Sequence, residues 1–318
     1  MEIKTSFSEN IIKVIGVGGA GLNAVDKMFE QGIHGVDFAV CHYDPYLFYD
    51  NSVPTKVLLE PNSPFLYRNI DFSEIAKNLL DDGTKMVFIV AGMGGSIGSF
   101  ALPLLAKSAK DKGILTIGVV TIPFLFEKMP TRMKALDAIR EMYKNVDTLI
   151  VVNNESMKEL DSDFRLVDAF VMTYKVLYMI VKSIAEIITV KGIINRDFSD
   201  VVSTLKDSGI TLFSYGFGAG EDRLKDAVEE AINSLLLNNN DIFNAKRVLF
   251  HISINSNAHL KVDELTKVIE GFIERFDNHT EILWGYGVEE SLGDNHEVKF
   301  TIIASGFGLD AIPTIQDV

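Results

Sequence analysis

Through the first half of the chain, short apolar runs alternate with amphipathic stretches. Strand-like runs cover 11–17, 36–41, 85–90, 114–120 and 148–152, and helical patterns cover 21–31, 99–112 and 131–144. The runs are apolar on both faces, as strands covered by helices on either side must be. Their alternation with helices predicts a doubly wound, mostly parallel sheet. Ligands of such sheets sit beyond the carboxyl ends of the strands, so the loops there carry the chemistry.

A long apolar helix over 164–189 follows. Asp168, Lys175, Lys182 and Glu186 fall on one side of it and form a polar stripe. Each charge near a bilayer centre would cost about 2.5–3.5 kcal/mol, so the helix reads as a soluble core element and not a membrane span. The pattern then changes, with strands at 211–215, 248–254, 282–286 and 298–304 and helices at 222–237 and 262–275. A short polar stretch joins the last two strands, which are expected to pair antiparallel within a smaller mixed sheet. The fold class is α/β: a Rossmann-like domain over 10–163, a central helix and acidic loop over 164–200, and an α+β domain over 201–318.

Composition narrows the partners. The 318 residues are 47% hydrophobic, and 30 Lys and Arg oppose 44 Asp and Glu, for a net charge of −14. So acidic a chain disfavours nucleic acid, and a phosphate ligand would need backbone N–H groups and a divalent cation to hold it. Cys41 is the single cysteine and forms no internal disulfide, while the polar N-terminus lacks the apolar core of a signal peptide. The expected location is the cytoplasm.

Three motifs carry the candidate chemistry. Gly16-Val17-Gly18-Gly19-Ala20-Gly21-Leu22-Asn23 joins the first strand to the first helix, where glycine lets backbone N–H groups approach a phosphate. Asp44 ends the second strand, where nucleotide-binding folds often place a carboxylate. By themselves these residues leave a dinucleotide-binding (NAD) oxidoreductase open. A second glycine-rich loop, Ala91-Gly92-Met93-Gly94-Gly95-Ser96-Ile97-Gly98-Ser99, follows the 85–90 strand and suits a di- or triphosphate wrapped from another side. The third motif, Asn195-Arg196-Asp197-Phe198-Ser199-Asp200, follows the long helix; its bland alternative is a solvated acidic turn capping a helix.

Together these motifs resemble the tubulin/FtsZ superfamily, and the third matches the N-x-D-x-x-D loop of FtsZ. The resemblance extends from Ile11 to Phe307, through segments such as Pro123–Glu127, Gly220–Arg223 and Ser291–Gly293. It implies GTP or GDP, with Mg2+, held by Gly18, Gly19, Ala20, Asn23, Asp44, Gly92, Gly94, Gly95, Ser96, Gly98, Ser99, Glu127 and Phe170. It also implies head-to-tail filaments, of this chain or with another FtsZ, in cell division. There Asn195, Asp197 and Asp200 of one subunit complete hydrolysis on the next, by positioning and electrostatics. No metal-ligating residue is assigned.

Departures from the family cluster at the nucleotide. The family signature loop usually reads GGGTGTG; here Ser96, Ile97, Ser99 and Phe100 replace Gly, Thr, Thr and Gly. Ile97 cannot donate a hydrogen bond. The segment Leu59–Leu66 contains no glycine, and Pro61 and Pro64 remove donors where the family covers the γ-phosphate. Tyr174 stands where the family reads guanine with Asp or Asn. Glu127 remains at the ribose position, but Thr131 takes the place of the family Arg, and Arg132 is one residue, or about 100° of helix, away. The sequence shows no C-terminal linker or peptide for membrane-tethering partners, so no direct membrane contact is expected. A degenerate paralogue that binds nucleotide poorly and caps filaments is the alternative to a competent GTPase.

Overall fold

A computed structural model describes residues 10–59, 70–156, 165–194, 196–237, 241–257, 260–293 and 297–313. They divide into two compact units. One runs to Ala185 and takes in Pro313, and the other covers Glu186–Ile312.

The first unit is built on β1 (Ile12–Val17), β2 (Val36–His42), β3 (Thr55–Leu58), β4 (Met86–Gly92), β5 (Leu115–Ile122) and β6 (Thr148–Asn153). All pair in parallel, in the order β3-β2-β1-β4-β5-β6. β1 and β5 are buried along their whole length, as their uninterrupted apolar runs require. Helices α1 (Gly18–Gln31), α2 (Phe72–Leu80), α3 (Ser96–Asp111) and α4 (Met129–Asn145) alternate with the strands. The strand order reverses between β1 and β4. That reversal opens a crevice at their carboxyl ends, between the first turns of α1 and α3.

Two elements of this unit have no counterpart in the hydropathy pattern. β3 is a four-residue edge strand with Lys56 and Leu58 exposed, and it lacks the apolar run that marks its neighbours. α2 is a nine-residue helix whose N-cap, Asp71, accepts the N–H groups of Ser73 and Glu74.

Helix α5 (Leu166–Thr189) buries Val176, Leu177, Ile180, Val181, Ile184 and Ala185. Lys175 is exposed, and the Lys182 ammonium lies 5.9 Å from the Tyr178 ring centre, so the helix has one polar edge. Among the described residues, no helix is long and apolar enough to cross a membrane.

The second unit contains α6 (Phe198–Leu205), β7 (Gly209–Gly218), α7 (Arg223–Ile232), β8 (Arg247–Ile254), α8 (Val262–Ile273), β9 (Glu281–Val288) and β10 (Val298–Phe307). Its sheet is mixed, as expected, but the expected pairing of the last two strands is wrong. β9 pairs in parallel with β8, and β10 lies antiparallel between β7 and β8. The reason is burial. β10 is buried over its first eight residues, its polar Lys299, Thr301 and Ser305 included, as a central strand must be, whereas β9 is half exposed and forms the edge. The β8–α8–β9 crossover then gives the parallel neighbour that such units favour.

Candidate functional site

Each glycine motif runs on into the first turn of a helix: Gly18–Gly21 open α1, while Gly92 ends β4, residues 93–95 turn, and Ser96–Ser99 open α3. α1 starts at Gly18 and α3 at Ser96, three residues earlier than the sequence pattern places each. The leading N–H groups of a helix have no intrahelical partner. No side chain caps either helix, because the N-cap residues are Val17 and Gly95. Two anion-attracting termini therefore open on one crevice.

Glycine is what allows them to converge. A Cβ on Gly16 would lie 2.4 Å from the Gly21 carbonyl oxygen, and one on Gly21 would lie 2.4 Å from that of Val90 in β4. These two glycines seat α1 against the sheet. Gly18, at φ +74°, brings its Cβ direction within 3.3 Å of Gly98 N, while a Cβ on Gly92 would meet that of Ala20 at 2.8 Å. The two helix starts thus meet at Gly18 and Gly98, while Ala20 of α1 meets Gly92 at the end of β4. Nothing lies within 4 Å of the Cβ positions of Gly19 and Gly95, and Gly19, Ala20, Asn23, Gly95 and Ser96 are exposed. A phosphate can approach both sets of N–H groups from that side, so the residues present fit a polyphosphate.

The departures in the second motif have definite placements. Ile97 is buried with its Cβ 3.7 Å from the Cβ direction of Gly18, so it packs the cradle wall instead of facing a ligand. Ser99 keeps its hydroxyl, but Oγ accepts the Gly94 N–H at 3.0 Å, and the Met93 N–H goes to the Thr121 carbonyl. Ser96 is exposed at the first position of α3, and Phe100 is half-buried. Gly94, at φ +92°, is boxed in by Thr131, which takes the place of the family Arg, and by Pro123.

Beside the cradle, Phe170 is 37% exposed and meets the buried Phe124 edge to face, with ring centres 5.3 Å apart. Tyr174, one turn further along α5, places its hydroxyl 3.5 Å from Asn23 Nδ2. The 123–127 turn is held by two carboxylates: Glu127 accepts the Phe124 N–H and Glu155 accepts that of Leu125. Glu155 was not among the candidates, since nothing in its spacing marks it. Asp44 caps the short 3-10 turn Pro45–Phe48 through the Tyr46 N–H. The Arg132 guanidinium lies against the Met129 sulfur at 3.4 Å. Of the segment 59–66, only Leu59 belongs to the described residues.

Asp197 and Asp200 belong to the second unit; Asn195 lies outside the described residues. Asp197 is the N-cap of α6, and its carboxylate accepts the Asp200 N–H at 3.0 Å and the Ser199 hydroxyl at 2.6 Å. Asp200 returns the bond to the Asp197 N–H at 3.3 Å, which completes a capping box. The Ser199 hydroxyl, more than any other neighbour, holds the Asp197 carboxyl below its ordinary pKa. Both acids are therefore pre-set in one rigid turn. Among the described residues, no group of three or more His, Cys, Asp or Glu side chains is placed to hold a metal ion.

Comparison with known proteins identifies the family. Residues 68–162 match the Tubulin/FtsZ family GTPase domain, and residues 209–308 match the FtsZ family C-terminal domain. The chain is 42% identical to the cell division protein FtsZ of Porphyromonas gingivalis, over 94% of this chain and 68% of that one. Against FtsZ of Wigglesworthia glossinidia brevipalpis it is 35% identical, over 97% and 82%. An FtsZ dimer from M. jannaschii superposes with a TM-score of 0.81 at 30% identity, over 94% of this chain and 88% of the other.

Proposed function

From the premise that this chain belongs to the FtsZ family of cell division proteins, we propose that it binds GTP in the α1–α3 cradle and assembles head to tail. The carrying observation is the pair of uncapped helix starts meeting through Gly18 and Gly98. Gly18, Gly19 and Ala20 serve one side of the phosphates, and Gly95, Ser96 and Gly98 the other. Phe170 offers an exposed ring face for the base, with Asn23 and Tyr174 beside it. Mg2+ would neutralise phosphate charge, arriving with the nucleotide. The reaction is completed in trans: Asp197 and Asp200 orient the attacking water on a neighbour's nucleotide, for which their capping box gives a fixed geometry. Membership of this family leaves no place for the dinucleotide oxidoreductase.

The test pairs calorimetry with GTP, GDP and ATP with sedimentation and phosphate release, for the wild type and Asp200→Ala. Expected are guanine-nucleotide binding in both chains and turnover, rising with assembly, in the wild type alone. Equal turnover in both chains would remove the trans role.

A second reading is favoured by Ser99 and Tyr174. Ser99 takes up the Gly94 N–H, and a phenol offers one acceptor oxygen where a carboxylate offers two. Losing two or three charge-assisted bonds at about 1.5–3 kcal/mol each lowers affinity by a thousandfold or more. In that case the acidic end still docks on a competent FtsZ, because a head-to-tail contact uses unlike surfaces. Substoichiometric addition to an active FtsZ would then shorten its filaments, and Asp200→Ala would not.

A further inference from the structure

The acidic turn contains a cation of its own. Arg196, immediately before the N-cap of α6, donates from Nε to the Trp284 carbonyl oxygen at 2.5 Å. Its Nη1 lies 3.6 Å from Asp200 Oδ2, the same oxygen that accepts the Asp197 N–H. The Arg196 side chain is 22% exposed and that of Asp200 is 30% exposed, so neither is a loosely solvated surface group. The chain leading to Arg196 is laid on the same strand: Ile193 and Ile194 both donate to the Tyr286 carbonyl, and Ile194 accepts the Tyr286 N–H. A Cβ on Gly192 would lie 2.8 Å from that same Tyr286 oxygen. The turn is thus fastened to β9, and Arg196 is the side chain that joins the fastening to a carboxylate.

We propose that Arg196 is a positioning residue that sets Asp200 for action on a neighbour's nucleotide; the inference rests on the trans-hydrolysis reading above. Two carboxylates brought up to a polyphosphate repel it, and the chain as a whole is strongly acidic. With Arg196 in place, the turn Arg196–Asp200 carries a net charge of −1 rather than −2. The planar guanidinium also ties Asp200 Oδ2 to the backbone of β9, a fork that an ammonium cannot reproduce in full.

The test measures GTP turnover by assembled full-length chain, alongside nucleotide affinity of the dilute chain and melting temperature. It compares the wild type with Arg196→Lys, Arg196→Gln and Arg196→Leu. Lys and Gln both keep a donor for the Trp284 carbonyl, but only Lys keeps the charge. Expected are a fall in kcat of about tenfold or more for Leu and Gln, recovery to within about threefold for Lys, and unchanged nucleotide affinity in all. Equal behaviour of Lys and Gln, or loss of turnover only in step with melting temperature, would make Arg196 a structural tether and overturn the proposal. Wild-type turnover with every variant within twofold of it overturns the proposal while leaving trans hydrolysis standing. A wild type that shows no turnover on assembly removes both.

Discussion

In the unit that ends at Ala185, the candidate site is made of main chain. Its working groups are N–H donors at the starts of α1 and α3, and glycines bring them together by leaving atoms out. In the Glu186–Ile312 unit, the candidate site is made of side chains: two carboxylates, a hydroxyl and a guanidinium arranged around the first turn of α6. Main-chain donors survive substitution of the side chains around them. Ile97 and Ser96 replace family residues without disturbing the convergence of Gly18 and Gly98. Carboxylates have no such tolerance, because the chemistry leaves with the side chain. The first site should fail when atoms are added, and the second when they are removed.

The largest effect is expected from adding atoms at Gly21. Gly21→Val directs a side chain at the Val90 carbonyl, whose oxygen lies 2.4 Å from the Cβ position. Denaturant unfolding should show a loss of about 3 kcal/mol or more, with nucleotide binding abolished. A variant of wild-type stability would show that α1 is not seated as described.

The second unit has its own half-buried ionisable group, which sharpens the comparison by pH. His251 of β8 packs beneath β9, and a Cβ on Gly285 would lie 2.7 Å from its ring. Burial first, and then the positive charge of Lys299, bring its pKa down to about 4, against the opposing charge of Glu289. Because the folded value lies below the unfolded one, the neutral ring's stability is fully present above pH 6.5 and is lost as pH falls towards 4. Between pH 7 and pH 5 the wild type should lose about 2 kcal/mol more than His251→Asn. Parallel pH profiles for the two chains would contradict that environment.

At the base end, Tyr174→Asp supplies two acceptors where the phenol supplies one. Competition calorimetry should show the preference for GTP over ATP rising about tenfold, equivalent to about 1.4 kcal/mol. No change would place the base away from Tyr174 and Asn23. The smallest effect belongs to removing the cap: Asp197→Ala should cost about 1 kcal/mol of stability by urea titration, with nucleotide affinity of the dilute chain unchanged. A drop in that affinity would break the separation between the two sites.

The strands around the crevice were legible because parallel strands covered on both faces cannot avoid being apolar throughout. The helix starts were misplaced because glycine is a poor helix former, and a run of it reads as loop. In the first turn that reading fails, and the early start is what gives the cradle its N–H groups. β3 escaped notice because an edge strand of four residues, alternately half-buried and exposed, carries no run to detect. The acidic turn was visible as a motif that could cap a helix, and it does cap one, but the eight residues of α6 left no mark in the hydropathy pattern. What holds Arg196 beside Asp200 is its bond to the Trp284 carbonyl and the nearby bridge between Ile194 and Tyr286, contacts across distant sequence that no local pattern records. The misassigned β9–β10 pairing failed for the same reason: nearness along the chain stood in for nearness across the sheet.

That pairing also sets a timetable for synthesis. β10 is the last strand of its unit to be made, yet it occupies the gap between β7 and β8. From the end of β8 at Ile254 to the end of β10 at Phe307, a ribosome adding about 5–20 residues per second needs roughly 3–10 s. Throughout that interval the flanks of β7 and β8 that will receive β10 are unpaired, and they offer the same hydrogen-bonding ladder to any other nascent strand. The newborn chain therefore passes through an aggregation-prone window that closes only when Phe307 arrives, and holdase chaperones would find their substrate in that window rather than in the finished protein.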